Sequence, residues 1–254
     1  MNLAFALTRP AIYFLYGFRR LTGCGSFRKN HIQYTDFSIH PNWNPLKQAL
    51  WKYHVKQFHL SSCSVASVVS CVNAITSLVR LDFSPETQHG ILDHVRTGHW
   101  KERMRPEGHQ GRRGLPLALL GDVVKDSMDT YHLPVRAVEV VPFFKKNTSP
   151  ALQKTLLKKR LMAFDQDGKG LLIAHFDQGR LVPTLNIPHI SPVGGYDAKT
   201  GRVTMLDVDP YQPRPYTVNL DTFVEGLSSD YHYIFRPLGY TGGGYVYIEL
   251  GHRS

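Results

Sequence analysis

Three residue types set far apart in this chain could together carry out acyl transfer through sulfur: Cys63, His189, and an aspartate at 207 or 209. Cys63 closes the stretch Gln57-Phe58-His59-Leu60-Ser61-Ser62-Cys63 and precedes a run, 64–80, that holds no Gly or Pro. In that run Val65, Val68, Val69, Val72, Ile75 and Val79 return at three- and four-residue steps. The period predicts a buried helix with one apolar face. Valines are mediocre helix formers, so packing must hold it more than propensity does. Ser61 or Ser62 is a natural N-cap, which puts Cys63 at or beside the first turn. There the positive end of the helix dipole and the unpaired N–H groups activate a sulfur nucleophile. An arbitrary cysteine is more often a small buried residue. The helix start, with a glutamine six residues upstream, argues for chemistry.

The histidine and the carboxylate come from a later hairpin. Residues 187–196 alternate like a strand, Asp197-Ala198-Lys199-Thr200-Gly201 make a turn, and 203–208 alternate again. Folded about Ala198 or Lys199, the pair brings His189 close to Asp207, and Gly194-Gly195 can host a bulge that adjusts the register. Asp209 points to the same face as Asp207, so spacing leaves the choice open. A histidine and an aspartate on adjacent strands, aimed at a cysteine on a helix end, are the parts of a Cys-His-Asp nucleophilic site.

Other elements must position these. Asn44-Pro45 opens a helix with Leu46, Leu50 and Tyr53 inward, and Pro85 takes the first position of another. Residues 98–113, charged and glycine-bearing, read as a surface loop. Residues 115–131 read as a helix with Leu119, Leu120, Val123, Val124 and Met128 on its stripe, and 150–164 as a further helix. Strands follow at 135–141, 170–176, 230–236 and 245–250. Helices first and antiparallel strands later predict an α+β protein, its helical half packed on a sheet. Two apolar pieces, 1–7 and 11–18, are broken by Thr8-Arg9-Pro10 and closed by Arg19-Arg20. Neither reaches the ~20 residues of a spanning helix, and neither has the signal-peptide order of charge, apolar run and small residues. An interfacial helix and a segment docked on the domain are equal alternatives. The division expected is a 1–30 extension and a 31–254 catalytic domain.

Composition narrows the class. Of 254 residues, the net charge is +10, which suits an anionic substrate or surface. The positive residues are dispersed, with no zinc-finger spacing or basic heptads, so no nucleic-acid partner is expected. Cys24, Cys63 and Cys71 are too few for a disulfide scaffold, and no CxxC marks a structural zinc site. Cys71 reads as a buried inert thiol. His89, His94, His99 and His109 read as scattered surface residues, since five-residue steps do not stack on one helix face.

The two blocks resemble the phytochelatin synthases. Gln57 to Cys63, Cys63-x-x-Ala66-Ser67 and Asn73-Ala74 are similar to the family's nucleophile helix. His189-Ile190-Ser191-Pro192-Val193-Gly194-Gly195-Tyr196, then Leu206-Asp207-Val208, are similar to its second block. Gly114-Leu115-Pro116-Leu117 fits the segment between, and Gly244-Tyr245-Val246-Tyr247-Ile248 the closing strand, so the likeness covers roughly 45–250.

The resemblance implies a papain-like fold and a thiol enzyme. Cys63 attacks the Cys–Gly amide of glutathione and holds a γ-glutamylcysteinyl thioester. His189 moves the proton, Asp207 orients the ring, and the Gln57 side chain with the Cys63 N–H forms the oxyanion hole. The acyl group passes to a second glutathione, giving phytochelatin, or to water. No resident cofactor is implied; cadmium or zinc enters as thiolate complexes of the substrate, a chemistry of metal detoxification. Three departures stand out: Ser64 and Pro188 where the family has Gly, and Pro210 where it has a substrate-binding Arg, a role Arg214 is placed to take. A Cys-rich C-terminal half is absent, as in short bacterial members that lean toward hydrolysis. Three alternatives stay open: an amide hydrolase for another substrate, an inactive relative that binds a membrane or partner, and membrane-surface contact through residues 1–25 of an otherwise cytoplasmic protein.

Overall fold

The computed structural model describes residues 3–28, 30–143, 149–229 and 239–251. The expected strand at 230–236 lies outside them. Chain order gives α1 (Leu3–Thr22), β1 (Gln33–Tyr34), α2 (Pro45–Lys52), α3 (Cys63–Val79), α4 (Gln88–His94), α5 (Trp100–Arg103) and α6 (Leu117–Thr130). Then follow β2 (Val135–Pro142), α7 (Pro150–Met162), β3 (Gly170–Asp177), β4 (Pro188–Asp197), β5 (Arg202–Met205), β6 (Tyr216–Asn219), α8 (Leu220–Leu227) and β7 (Gly244–Leu250). The strands form one antiparallel sheet in the order β1-β6-β5-β4-β3-β7-β2. Helix α3 lies against β4 and contacts α2, α4 and α6. The α+β architecture, helices on an antiparallel sheet, is as the sequence predicts.

Helix α3 is buried on all sides from Cys63 to Thr76 rather than on one face. A helix with polar residues at 64, 67, 70, 73 and 76 can sit there only if each finds a partner. Ser67, Ser70 and Thr76 donate to the carbonyls of Cys63, Ala66 and Val72 at 2.7, 2.7 and 2.8 Å. Asn73 clamps Glu86, accepting from its N–H at 2.7 Å and donating to its carbonyl at 2.9 Å. That clamp moves the next helix start. Residues 85 and 86 stay non-helical, Thr87 caps α4 by accepting from the Gly90 N–H, and Pro85 is not in the helix.

Two further expectations are corrected. The apolar N-terminal pieces are one helix, α1, continuous through Pro10. The missing N–H and the ring's crowding of the preceding turn disturb a helix locally without having to end it. The stretch read as a surface loop at 98–113 includes α5, whose Trp100 is fully buried and whose Arg103 is 8 % exposed. Lys and Arg around the tryptophan masked its burial. Strands β1 and β6 and helix α8 went unread, because two- to four-residue strands carry too little alternation to register.

Candidate active site

Cys63 occupies the first position of α3. Ser62 stands at the N-cap but does not cap. Its Oγ turns back to accept from the His59 N–H at 2.9 Å and donate to the His59 carbonyl at 2.8 Å. The first-turn N–H groups, that of Cys63 included, are therefore not consumed by a capping side chain. Ser67 donates both to the Cys63 carbonyl and, at 3.2 Å, to the Ile190 carbonyl, tying the nucleophile's turn to the strand that carries His189.

The β4–β5 pairing places the other two groups. Partners run Asp197↔Arg202, Tyr196↔Val203 and Gly195↔Thr204, then shift so that Val193 faces Met205. The bulge falls at Gly194, where a Cβ would meet the Leu206 side chain at 2.6 Å, and where the Trp51 indole donates to the Gly194 carbonyl at 2.7 Å. β5 ends at Met205, three residues earlier than the alternation predicts, and the chain turns at Asp207. The Asp209 N–H donates to Asp207 Oδ1 at 2.9 Å, and that turn sends the two aspartates apart. Asp207 meets His189, while Asp209 accepts from Gln178 Nε2 at 2.8 Å.

His189 Nε2 lies 2.7 Å from Asp207 Oδ1. The carboxylate, fully buried, also accepts from the Tyr216 hydroxyl at 2.6 Å through Oδ2, and from Ser191 Oγ at 3.3 Å. Each hydrogen bond to a charged group is worth about 1.5–3 kcal/mol, so the carboxylate is locked in place. Lys56 Nζ reaches the Asp207 and Gln212 carbonyls at 2.6 and 2.7 Å and closes the turn around it. With Nε2 held by Asp207, Nδ1 is the nitrogen left for sulfur, and Cys63 is among the neighbours that raise the ring.

Electrostatics separate this histidine from its buried counterparts. Burial, with a smaller push from Lys56 at His54 and from His189 at His175, lowers both to about 4, which keeps them neutral. Burial pulls His189 down as well, but the Asp207 charge and hydrogen bond, with the Cys63 contact, outweigh it and raise the ring to about 10. Burial pushes Asp207 up, and the facing imidazole with its hydrogen-bond donors brings it net down to about 2. Burial and the adjacent carboxylate raise Tyr216, so it remains a donor. Burial pushes the Cys71 thiol up, as an inert core cysteine requires.

Gln57 is 8 % exposed, its N–H donates to the Val208 carbonyl at 2.8 Å, and its side-chain oxygen is buried without a partner among the described residues. Arg214 is not gathered with these groups. It is exposed at the β1–β6 edge, 3.2 Å from Asp36 and over the Tyr34 ring. Among the described residues no group of three or more His, Cys, Asp or Glu could hold a metal. The rings of His99 and His109 stack at 3.8 Å.

The sequence reading did not single out four residues. Ser191 stands two residues from His189 on the same strand face, a period-two signal that was available. Tyr216 belongs to an unread strand. Trp100 donates from its indole N–H to Ser64 Oγ at 3.0 Å, and Tyr240 lies close enough to Cys63 to feel its charge. A lone tryptophan in a charged stretch was the available hint for Trp100; nothing local marks Tyr240.

A thiol on a buried helix end, an imidazole on the facing sheet and a carboxylate behind it are the parts that a nucleophilic thiol site requires. A profile of the phytochelatin synthase family matches residues 43–232, and the chain belongs to that family. Its fold is accordingly papain-like, and its general chemistry is γ-glutamylcysteinyl transfer from glutathione. No curated protein matches the chain.

Proposed function

We propose that this protein cleaves the Cys–Gly amide of glutathione through a thioester on Cys63. Cys63 Sγ bonds to the amide carbon as the thiol proton passes to His189, and the resulting oxyanion is met by the Cys63 N–H and the Gln57 side chain. The C–N bond then breaks as His189 gives its proton to the departing glycine amine. Asp207 holds the imidazolium meanwhile. The α-amine of a second glutathione, or water, attacks the thioester, His189 takes the attacker's proton, and sulfur leaves. Cadmium or zinc takes part as a thiolate complex of the substrate. The observation that carries this reading is the hydrogen-bonded row His189–Asp207–Tyr216, with Cys63 among the neighbours that raise the His189 ring.

Mass spectrometry of the intact protein mixed with glutathione is the test. A γ-glutamylcysteinyl adduct on the Cys63 peptide, with free glycine in solution, is expected. Absence of both ends the glutathione reading. A second reading, an amide hydrolase for another substrate, is favoured by Pro210, which has neither charge nor side-chain donor, and by Arg214 being engaged with Asp36. An adduct from a different thiol peptide and none from glutathione identifies that case. Three free thiols suit a reducing compartment, the cytoplasm.

We also propose that α1 lies on anionic lipid surfaces. Phe14, Phe18 and Leu21, at steps of four and three, form an exposed stripe flanked by Tyr13 and Leu15. Arg19 and Arg20 close the helix away from that stripe, and no acidic residue precedes Asp36. Among the described residues no helix is long and apolar enough to cross a membrane, so the helix would lie in the interface. The protein should pellet with phosphatidylglycerol-containing vesicles at low salt, be released at high salt, and ignore phosphatidylcholine alone. F14E/F18E should abolish pelleting with glycine release unchanged. Equal binding to both vesicle types, or to neither, rejects the proposal.

A further inference from the structure

Near the start of α3 sits a positive charge with no carboxylate against it among the described residues. Arg103 is buried, and no carboxylate pairs with it among the described residues. Its Nε donates to the Gly98 carbonyl at 2.9 Å and its Nη1 to the Gly114 carbonyl at 3.3 Å. Among the described residues the charged group that acts on it is another cation, Arg112, and the other ionisable neighbour is the Tyr240 phenol. Next to it, Arg113 has a buried Nε without a partner among the described residues, while its backbone carbonyl accepts from the Tyr240 hydroxyl at 3.1 Å. Buried cations are normally paired, because desolvation penalises the lone charge. Such a pair of guanidiniums is kept where an anion arrives.

Position ties the two cations to the sulfur. Trp100 and Arg103 are three residues apart on α5 and share a face. The Trp100 indole is fixed to Ser64, the residue after Cys63. From the other side, the Tyr240 hydroxyl donates to the Arg113 carbonyl at 3.1 Å and would be met at 2.4 Å by a Cβ on Gly114, whose carbonyl Arg103 holds. The α3 start and Tyr240 therefore both meet the segment 100–114 that carries the two arginines.

We infer that Arg103 and Arg113 form a carboxylate-binding subsite next to Cys63, which takes a carboxylate of the thiol-peptide substrate. Guanidinium forks match carboxylates in a bidentate manner, which suits a specificity role. The substrate's identity rests on the glutathione reading above; the anion site does not. Glutathione offers two such groups, the α-carboxylate of its γ-glutamyl end and the carboxylate of its glycine.

The test uses the full-length protein and two alkylating agents of similar size, anionic iodoacetate and neutral iodoacetamide, with the Cys63 and Cys24 peptides quantified separately. His189 adds to any preference for the anion in every variant, so the change on substitution is the reading. R103Q should lower the iodoacetate-to-iodoacetamide rate ratio at Cys63 on the order of tenfold and leave the ratio at exposed Cys24 alone. R103K should retain most of the preference. If R103Q does not fold, R113Q supplies the same measurement. A Cys63 ratio indifferent to the substitution overturns the subsite. The second arm compares glutathione with its two monoamides. The amide whose poor KM in the wild type is not worsened further by the substitution names the carboxylate held. Equal KM for all three substrates overturns the assignment to substrate. A Cys63 ratio that falls on R103Q in a protein whose wild type releases no glycine loses the glutathione reading and keeps the anion site; the reverse pattern does the opposite.

Discussion

Cys63→Ala should leave a folded protein that releases no glycine from glutathione, with turnover down by roughly 10⁴–10⁶. The loss is chemical because nothing else at position 63 depends on sulfur. Alanine is the better helix former at the start of α3, and the carbonyl that accepts from Ser67 is backbone. The nearest replacement sulfur is no substitute, since Cys71 lies two turns deeper in the same helix and is fully buried. Circular dichroism and thermal melting should match the wild type, while the thioester adduct disappears. In the wild type, iodoacetamide should label Cys63 ahead of exposed Cys24, with Cys71 silent until unfolding. Glycine release by Cys63→Ala above a few per cent of wild type would remove Cys63 from the nucleophile's role.

Asp207→Asn is the second large effect, on the order of 10⁴ in turnover. Oδ1 now receives the His189 ring and the Asp209 N–H, and Oδ2 the Tyr216 hydroxyl. Every partner is a donor or can be one, so an amide –NH2 at either position faces a donor. If it faces His189, Nε2 must become the acceptor, and the proton moves to the nitrogen that serves the sulfur. The pH profile adds an independent reading. His189 must be protonated to expel glycine, so the alkaline limb of acylation follows its pKa, about 10. Removing the Asp207 charge takes away the main influence that holds the ring above its ordinary value, leaving burial to pull it down. The alkaline limb should move to lower pH by about 1–3 units. An alkaline limb that stays where it was would show that another group governs proton delivery.

The same pair shapes stability against pH. His189, raised from 6.5 to about 10, contributes stability that is fully present below 6.5 and is lost as pH rises through 10. Asp207, lowered from 3.8 to about 2, contributes stability present above 3.8 that is lost as pH falls toward 2. The pair therefore helps most between about pH 4 and 6.5.

What could be read from sequence was what short-range periodicity encodes. The 3.6-residue period put Cys63 at a helix start, and the two-residue period with its glycine pair put His189 beside an aspartate. The choice between Asp207 and Asp209 was not encoded that way. It depends on where β5 stops, and that is settled by a side chain folding back on its own backbone. Trp100 and Arg103 were hidden by charged neighbours, and Tyr216 by a strand only four residues long. The start of α4 was missed because Asn73, thirteen residues upstream, decides it. For α4 a contact across the fold overrode the local signal. The membership in a known family rests instead on two long ordered blocks, which no single contact can disguise.

The Ser67 hydroxyl carries a consequence for how the enzyme can fail. Base and orienting acid ride on one ribbon, eighteen residues apart, whereas the sulfur belongs to a separate slab. A slight slip of one slab past the other changes only the gap that the thiol must span. Mild heating or low denaturant should then silence turnover while the ring and its carboxylate still titrate together, an inactive yet almost native form that returns to work on cooling.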